Sequence, residues 1–336
     1  MVRRLITAAI GLGILALGTA FWAYRSYQGF LVAGFDLPED GVVWTLEAGT
    51  SYRGMVRELA GRDWTEDGWR WRVLGMLDDR PSRLQAGEYR LPVGTSPLEL
   101  LDRLAAGDVV LYDFTIVEGW TVRQLREALV EAPGIGRTLE AGAEADFATR
   151  FELESDSAEG WFLPETYRYP RGTTDVEVLK RAHVSMVDVL ATVWEERDPS
   201  LPYASPYDVL IMGSIIERET AVAEERALIA GVFVRRLQRG MRLQTDPTVI
   251  YGMGEAFDGN LRRRDLRTDT PWNTYTRHGL PVTPIALPGE AALRAAVAPA
   301  DGNALYFVSR NDGTHVFSAT LEEHEAAVDE FQRKRR

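Results

Sequence analysis

The stretch PYDVLIMGSIIERET, from Pro206 to Thr220, is apolar almost all round through Val209, Leu210, Ile211, Met212, Gly213, Ile215 and Ile216. Ser205 and Pro206 supply a helix start, so the segment reads as a buried helix. It then turns abruptly into Glu217-Arg218-Glu219-Thr220. At ~100° per residue Glu219 falls between the directions of Met212 and Ile215, while Glu217 points roughly 160° away. The two carboxylates therefore do not work as neighbours on one face. A carboxyl set against apolar side chains has its charged form disfavoured and can act as a general acid near neutral pH, which makes Glu219 a candidate acid. Glu217 is then free to pair with an arginine and hold the helix end. Read from the helix alone, ordinary ion pairing at a solvated terminus is the favoured account of both residues.

Outward from this helix, the chain alternates short strands and helices, an α+β pattern. Val42 to Leu46, Gly87 to Leu91 and Asp113 to Val117 read as strands, each followed by a Gly turn, a Ser or Thr cap and a helix. The three units over about 40–112 and beyond are either a common connection used three times or, across about 40–112, a small LysM-like glycan-binding module. Thr174 with Glu177 makes a capping box for a helix to about Arg197. Pro199 to Pro206 reads as a linker, and beyond Thr220 the helix continues or restarts toward Arg239 before Gly240 stops it. Asn311-Asp312-Gly313-Thr314 is a hairpin signal, and a last helix starts at Thr320 and ends in a basic tail, Arg333 to Arg336.

The 336 residues carry 50 acidic against 38 basic side chains, a net charge of −12 that argues against nucleic acid as a partner. With no cysteine, disulfides, thiol nucleophiles and Cys-based metal sites are excluded. Leu5 to Tyr24 is uncharged and apolar, and at ~1.5 Å per residue it is long enough to cross a bilayer core of ~30 Å. Its length and the bulky Phe21-Trp22 favour an uncleaved anchor over a signal peptide. Arg3 and Arg4 precede it and only Arg25 follows closely, which places the N-terminus in the cytoplasm and the rest outside.

Three segments are rich in groups that bind sugar hydroxyls and amides: Arg242 to Gly252, Pro271 to Thr276, and Trp161 to Tyr167 with its aromatic platforms and Glu165. The Asp246-Pro247 step favours a turn. The four histidines, His183, His278, His315 and His324, have no metal-ligand spacing, and there is neither a P-loop nor a G-x-S-x-G elbow. His183 and His324 read as helix-face residues, while His278 and His315 lie near the polar segments and are open to a substrate contact.

Taken together, Ile215 to Ala221, Gly240 to Gly252, Asn273-Thr274-Tyr275, Gly279-Leu280-Pro281 and Glu159-Gly160-Trp161-Phe162 with Pro164 closely resemble the endolytic murein transglycosylase family (MltG, YceG-like). The resemblance extends over nearly the whole chain, in block order and spacing. Pro281 to Pro284 and Leu163 depart from the family's pattern and put subsite details in doubt, not the reaction.

The resemblance implies an anchor with a cytoplasmic tip over 1–30, a LysM-like subdomain over 31–112 and a mixed α+β catalytic domain over 113–336. It places the protein in the inner membrane with its bulk in the periplasm, acting on peptidoglycan strands near the synthases and using no cofactor and no metal. It makes Glu219 the catalytic residue, the second acid of Glu-x-Glu-Thr, with Glu217 in support. Gln244, Thr245, Asp246, Asn273, Tyr275 and Glu165 are the candidates for holding the sugar and its amides. The implied reaction is non-hydrolytic and leaves 1,6-anhydromuramic acid ends. Two alternatives stay open: a muramidase using Glu165 or Asp246 as second carboxylate, and a non-catalytic glycan-binding anchor for synthases.

Overall fold

The structure is a computed structural model that describes residues 2–139, 147, 149–153 and 155–333; the end of the expected basic tail, 334–336, lies outside them. The chain divides into two compact units, Met1–Tyr112 with Pro170–Gly172, and Asp113–Tyr169 with Thr173–Arg336.

In the first unit, α1 (Val2–Val32) is a 31-residue helix whose apolar side chains, Leu5, Ile10, Leu15 and Leu17 among them, are exposed. It is long and apolar enough to cross a membrane. Near its end Phe30 is buried, edge-on to Trp71 at 5.1 Å between ring centroids. The strands β1 (Val42–Leu46) and β2 (Gly87–Leu91) pair antiparallel with Trp44 opposite Tyr89. Period-two alternation puts Trp44 and Leu46 inward. They meet Met55, Val56 and Leu59 of α2 (Tyr52–Gly61), Trp71 and Leu74 of α3 (Trp69–Leu77), and Leu100, Leu101 and Leu104 of α4 (Pro97–Ala106) in one core. Polar ends of the buried rings find partners: Trp44 Nε1 donates to Glu58 at 2.7 Å and Tyr89 Oη to the Gln85 carbonyl at 2.6 Å. Ser96 and Glu99 cap α4 reciprocally.

The third expected strand, β3 (Leu111–Thr115), begins two residues before the Asp113 start read from the sequence. In the second unit its Thr115 hydroxyl bonds Thr166 of β4 (Thr166–Pro170) at 2.8 Å. Capping boxes at Thr121–Gln124 and Thr174–Glu177 open α5 (Val122–Glu131) and α6 (Asp175–Glu196).

The core of this unit is built on the helix whose sequence is apolar all round, α7 (Pro206–Glu219), where every residue from Val209 to Ile216 is buried. It packs against α6, α8 (Ala223–Gln238) and α10 (Glu290–Val297), with α9 (Asp246–Met253) at its far end. Gly213 permits the closest approach, since a Cβ there would stand 2.7 Å from Leu293 Cδ2. Ser214 ties the middle of α7 to the following chain: its hydroxyl donates to the Ile211 carbonyl at 2.7 Å and accepts from Ile285 N at 3.0 Å. The hairpin of β5 (Tyr306–Ser309) and β6 (His315–Ser318) turns through Asn311 and Gly313, and α11 (Leu321–Val328) closes the described fold behind a Thr320–Glu323 box.

Two expectations are corrected. The Asp246-Pro247 step does not make a turn; it opens α9, because a proline in the first helical turn needs no N–H donor and already holds the helical φ. The aromatic run at Trp161 to Tyr167 forms no platform: Trp161 and Phe162 are buried, with Trp161 stacked on Tyr207 at 5.8 Å and edge-on to His183 at 5.7 Å. Their apolar area is worth more in the core, ~2 kcal/mol or more per side chain, than exposed on a loop.

Candidate active site

The two carboxylates at the end of α7 diverge as the 100° spacing requires. Glu217 accepts from Gly289 N, the residue capping α10, at 3.0 Å and faces Arg226 at 3.9 Å. Burial raises its pKa, the Gly289 hydrogen bond offsets part of that, and the nearby Glu118 adds to the rise. Glu217 thereby fastens the helix end to α10.

Glu219, two residues on, is half-buried, and its Oε1 accepts a short hydrogen bond from the Thr245 hydroxyl. Burial pushes its carboxyl up to about 7; the Thr245 bond works against that rise, and the negative charge of Asp246 adds to it. Such a group is protonated in an appreciable fraction at neutral pH and can both give and take a proton there.

The turn after Glu219 is held by Thr220, whose Oγ1 accepts from Val222 N at 3.0 Å and bonds Glu225 at 3.4 Å. Glu225 is buried and takes both the backbone N–H of His315, at 2.8 Å, and its ring Nδ1, at 2.7 Å. His315 thus serves the scaffold behind the acid. The exposed His278 contacts the Gly240 carbonyl at 3.1 Å.

Thr245 is itself fixed from two sides. Its N–H donates to Thr274 Oγ1 at 3.1 Å, its carbonyl accepts from Thr248 Oγ1 at 2.7 Å, and the two threonine hydroxyls meet at 2.9 Å. All three threonines are buried. Asn273 is also fully buried: its Nδ2 donates to the carbonyls of Asp265, Leu266 and Thr268, and its Oδ1 accepts from Tyr275 N at 2.8 Å. It shapes the loop that carries Thr274 and Tyr275. Tyr275 donates to Asp246 Oδ1 at 2.5 Å, and burial together with that bond holds its hydroxyl far above the ordinary tyrosine range. Asp246 and Gln244 are exposed beside Thr245.

Glu219, Thr245, Asp246, Gln244 and Tyr275 are therefore brought together, with Asn273 behind them. Glu165 is exposed just before β4, its carbonyl accepts from Ile116 N at 3.0 Å and its charge acts on Tyr167; no described contact links it to the group around Glu219.

A cleft of about 1240 Å3 has Arg218 and Pro247 on its wall, each one residue from Glu219 and Asp246, together with Val122, Glu159, Tyr251 and Trp272. The Glu219 carboxyl is not on that wall. Glu159, which the sequence shows only as part of a motif, is a buried acid held by Val122 N at 3.0 Å and the Tyr251 hydroxyl at 3.1 Å. Among the described residues no group of three or more His, Asp or Glu is placed to hold a metal ion.

The YceG-like family matches residues 44–330. An endolytic murein transglycosylase of Bacillus subtilis is 29% identical over 267 residues, 74% of this chain and 74% of that protein. One from Streptococcus pneumoniae is 28% identical over 280 residues, where this chain spans only half of the relative's length. A crystal structure of a yceG-like protein from Listeria monocytogenes, 26% identical, superposes with a TM-score of 0.55 over 86% of this chain and all of that one. With a match that runs from β1 to beyond α11, the chain belongs to the YceG-like family.

Proposed function

We propose that this protein is an endolytic lytic transglycosylase of peptidoglycan, a lyase that cuts the bond between N-acetylmuramic acid and N-acetylglucosamine with Glu219 as its one acid/base. The observation that carries the reading is the Glu219 carboxyl, set at the end of a buried helix and raised to about 7 beside a threonine hydroxyl. The names of the Bacillus and Streptococcus relatives support the substrate and the reaction class.

Because Thr245 donates to Oε1, the acidic proton of Glu219 sits on Oε2. Oε2–H gives that proton to the glycosidic oxygen as the bond to the muramyl C1 breaks, and the N-acetylglucosamine side leaves as an alcohol. The oxocarbenium-like centre at C1 is stabilised by the substrate's own N-acetyl oxygen, so no second carboxylate is needed. The Glu219 carboxylate then takes the proton of the muramyl C6 hydroxyl as O6 bonds to C1. The product is a 1,6-anhydro end, the acid returns to its starting form, and no water is consumed. Asp246 keeps the carboxyl from ionising early, Tyr275 holds Asp246, the exposed Gln244 stands where the sugar's amide would lie, and the buried Thr245 acts through its bond to Glu219. Asn273 acts by shaping the loop beneath them, and Glu217 by fixing the helix end. Glu165 remains a candidate for a more distant sugar contact.

In this reading α1 is a single-pass inner-membrane anchor with a cytoplasmic N-terminus, the first unit is a LysM-like module that steadies a strand, and the second works in the periplasm near the synthases, ending nascent strands. The test is the Glu219→Gln protein on purified un-cross-linked strands. Loss of cutting by at least a thousandfold fits an acid/base contribution to both proton transfers, each worth ~10²–10⁴-fold. Unchanged cutting removes Glu219 from the chemistry.

A further inference from the structure

Arg236, on α8, is 7% exposed, and none of its hydrogen-bond partners is a carboxylate. Nε donates to the Leu305 carbonyl at 2.6 Å, and Nη1 reaches the carbonyls of Leu243, at 2.8 Å, and Arg242, at 3.2 Å. The same Nη1 lies 3.4 Å from Gln244 Oε1, and the guanidinium stands 5.0 Å from the ring centre of Tyr306. The cation thus gathers the chain just before Thr245 from behind.

A guanidinium only donates, so the amide group of Gln244 that faces it must be the oxygen. That contact is the longest of three on Nη1, which has two hydrogens, so the arginine biases the amide toward presenting its oxygen inward. The Nε2 end then points away from Arg236, and no described group accepts from it. The backbone reinforces the placement: Gln244 holds a left-handed φ of 51° and donates its N–H to the Thr274 carbonyl at 3.2 Å. A non-glycine residue stays in that region only where its surroundings over-determine it. Gln244 is exposed, and its neighbour Thr245 carries the hydrogen bond to Glu219, so the amide lies one residue along the chain from the group that touches the acid.

We propose that Gln244, oriented by Arg236, is a donor subsite for the carbonyl oxygen of a 2-acetamido group, and that Arg236 is its positioning residue. The inference rests on the glycan-cleaving reading and adds a basis for selecting N-acetylated over de-N-acetylated sugar. A hydroxyl can donate or accept, but an acetamido carbonyl can only accept, which is what two fixed donors select. An ammonium at the same carbon offers no acceptor at all.

The experiment uses the full-length chain in detergent, carrying E219Q so that ligand is not cut, and measures binding of an N-acetylglucosamine oligomer and of the de-N-acetylated oligomer of equal length. Adding Q244E keeps an oxygen for Arg236 but removes the outward donors. We expect about tenfold weaker binding of the acetylated oligomer, the loss of one good hydrogen bond, with the melting temperature held. Q244A should lose the same binding. R236K should lower the preference for the acetylated over the de-N-acetylated oligomer in the E219Q protein and leave that preference unchanged once Q244E is present, whatever it costs both oligomers alike through the backbone carbonyls it holds. Equal affinity of the E219Q and E219Q/Q244E proteins for the acetylated oligomer, no binding of that oligomer, or additive losses of the acetylated-over-de-N-acetylated preference from Q244E and R236K would overturn the proposal. Failure of the unmutated chain to cut strands, with Gln244-dependent binding intact, would instead overturn the glycan-cleaving reading and leave this subsite standing.

Discussion

Replacing Glu219 by Gln should stabilise the second unit in a pH-dependent way. The fold raises this carboxyl from its ordinary 4.5 to about 7, chiefly by burial. At ~1.4 kcal/mol per pH unit that corresponds to ~3 kcal/mol of preference for the neutral form in the folded state. The sign follows from proton uptake. Between 4.5 and 7 the folded protein holds the proton and the unfolded chain has released it, so stability is full below 4.5 and lost as pH rises through about 7. Gln at this position never ionises and keeps an oxygen for the Thr245 hydroxyl. The difference between the two proteins should therefore start near zero at pH 4, grow through pH 7 and level off at ~3 kcal/mol by pH 9. For a unit of this size that is an upward shift in Tm of roughly 6–12 °C at high pH. Urea unfolding at closely spaced pH values measures it, and subtracting one protein from the other cancels every other titrating group. A difference that stays flat from pH 4 to 9, or a Gln variant less stable at high pH, would refute the claim that the carboxyl is held out of water by the fold.

Removing the Thr245 hydroxyl with T245V should move the apparent pKa of the acid in kcat/KM above 7, since that bond favours the carboxylate; a pH–rate profile reads the shift, and a fall would contradict it. N273A should cost ~2–4 kcal/mol in denaturant unfolding, because at least two of the four groups around the amide are left without a partner in a buried loop. Gly213→Ala should cost ~1–3 kcal/mol by pressing on Leu293, and a crystal structure should show α10 displaced; a neutral change would mean the α7–α10 contact is looser than the 2.7 Å approach implies.

Much of this was legible in the sequence, where the signals were local. The boxes at Thr174 and Thr320 and the caps at Ser96 and Thr121 are local, the last two proving to be reciprocal boxes with Glu99 and Gln124, and β1, β2 and the Asn311 turn fall where the patterns place them. The divergence of Glu217 and Glu219 follows from 100° per residue and reappears as two separate sets of partners. Hidden were the groups whose partners are far along the chain. Glu159 meets Tyr251 across 92 residues, His315 meets Glu225 across 90, and Arg236 meets Leu305 across 69. No periodicity encodes such pairs; only tertiary packing brings them together, through α9 for Glu159 and through α8 and the hairpin region for the other two. The aromatic run at Trp161 was misread for a related reason: polar and proline neighbours make a loop, but do not say which way its rings point.

The most direct test of the central claim is mass spectrometry of the ends made when the full-length chain digests purified peptidoglycan strands. The account predicts internal cuts whose muramyl ends are one water lighter than reducing ends, and none from the E219Q protein. Reducing ends of full mass, or light ends that persist without Glu219, would contradict it.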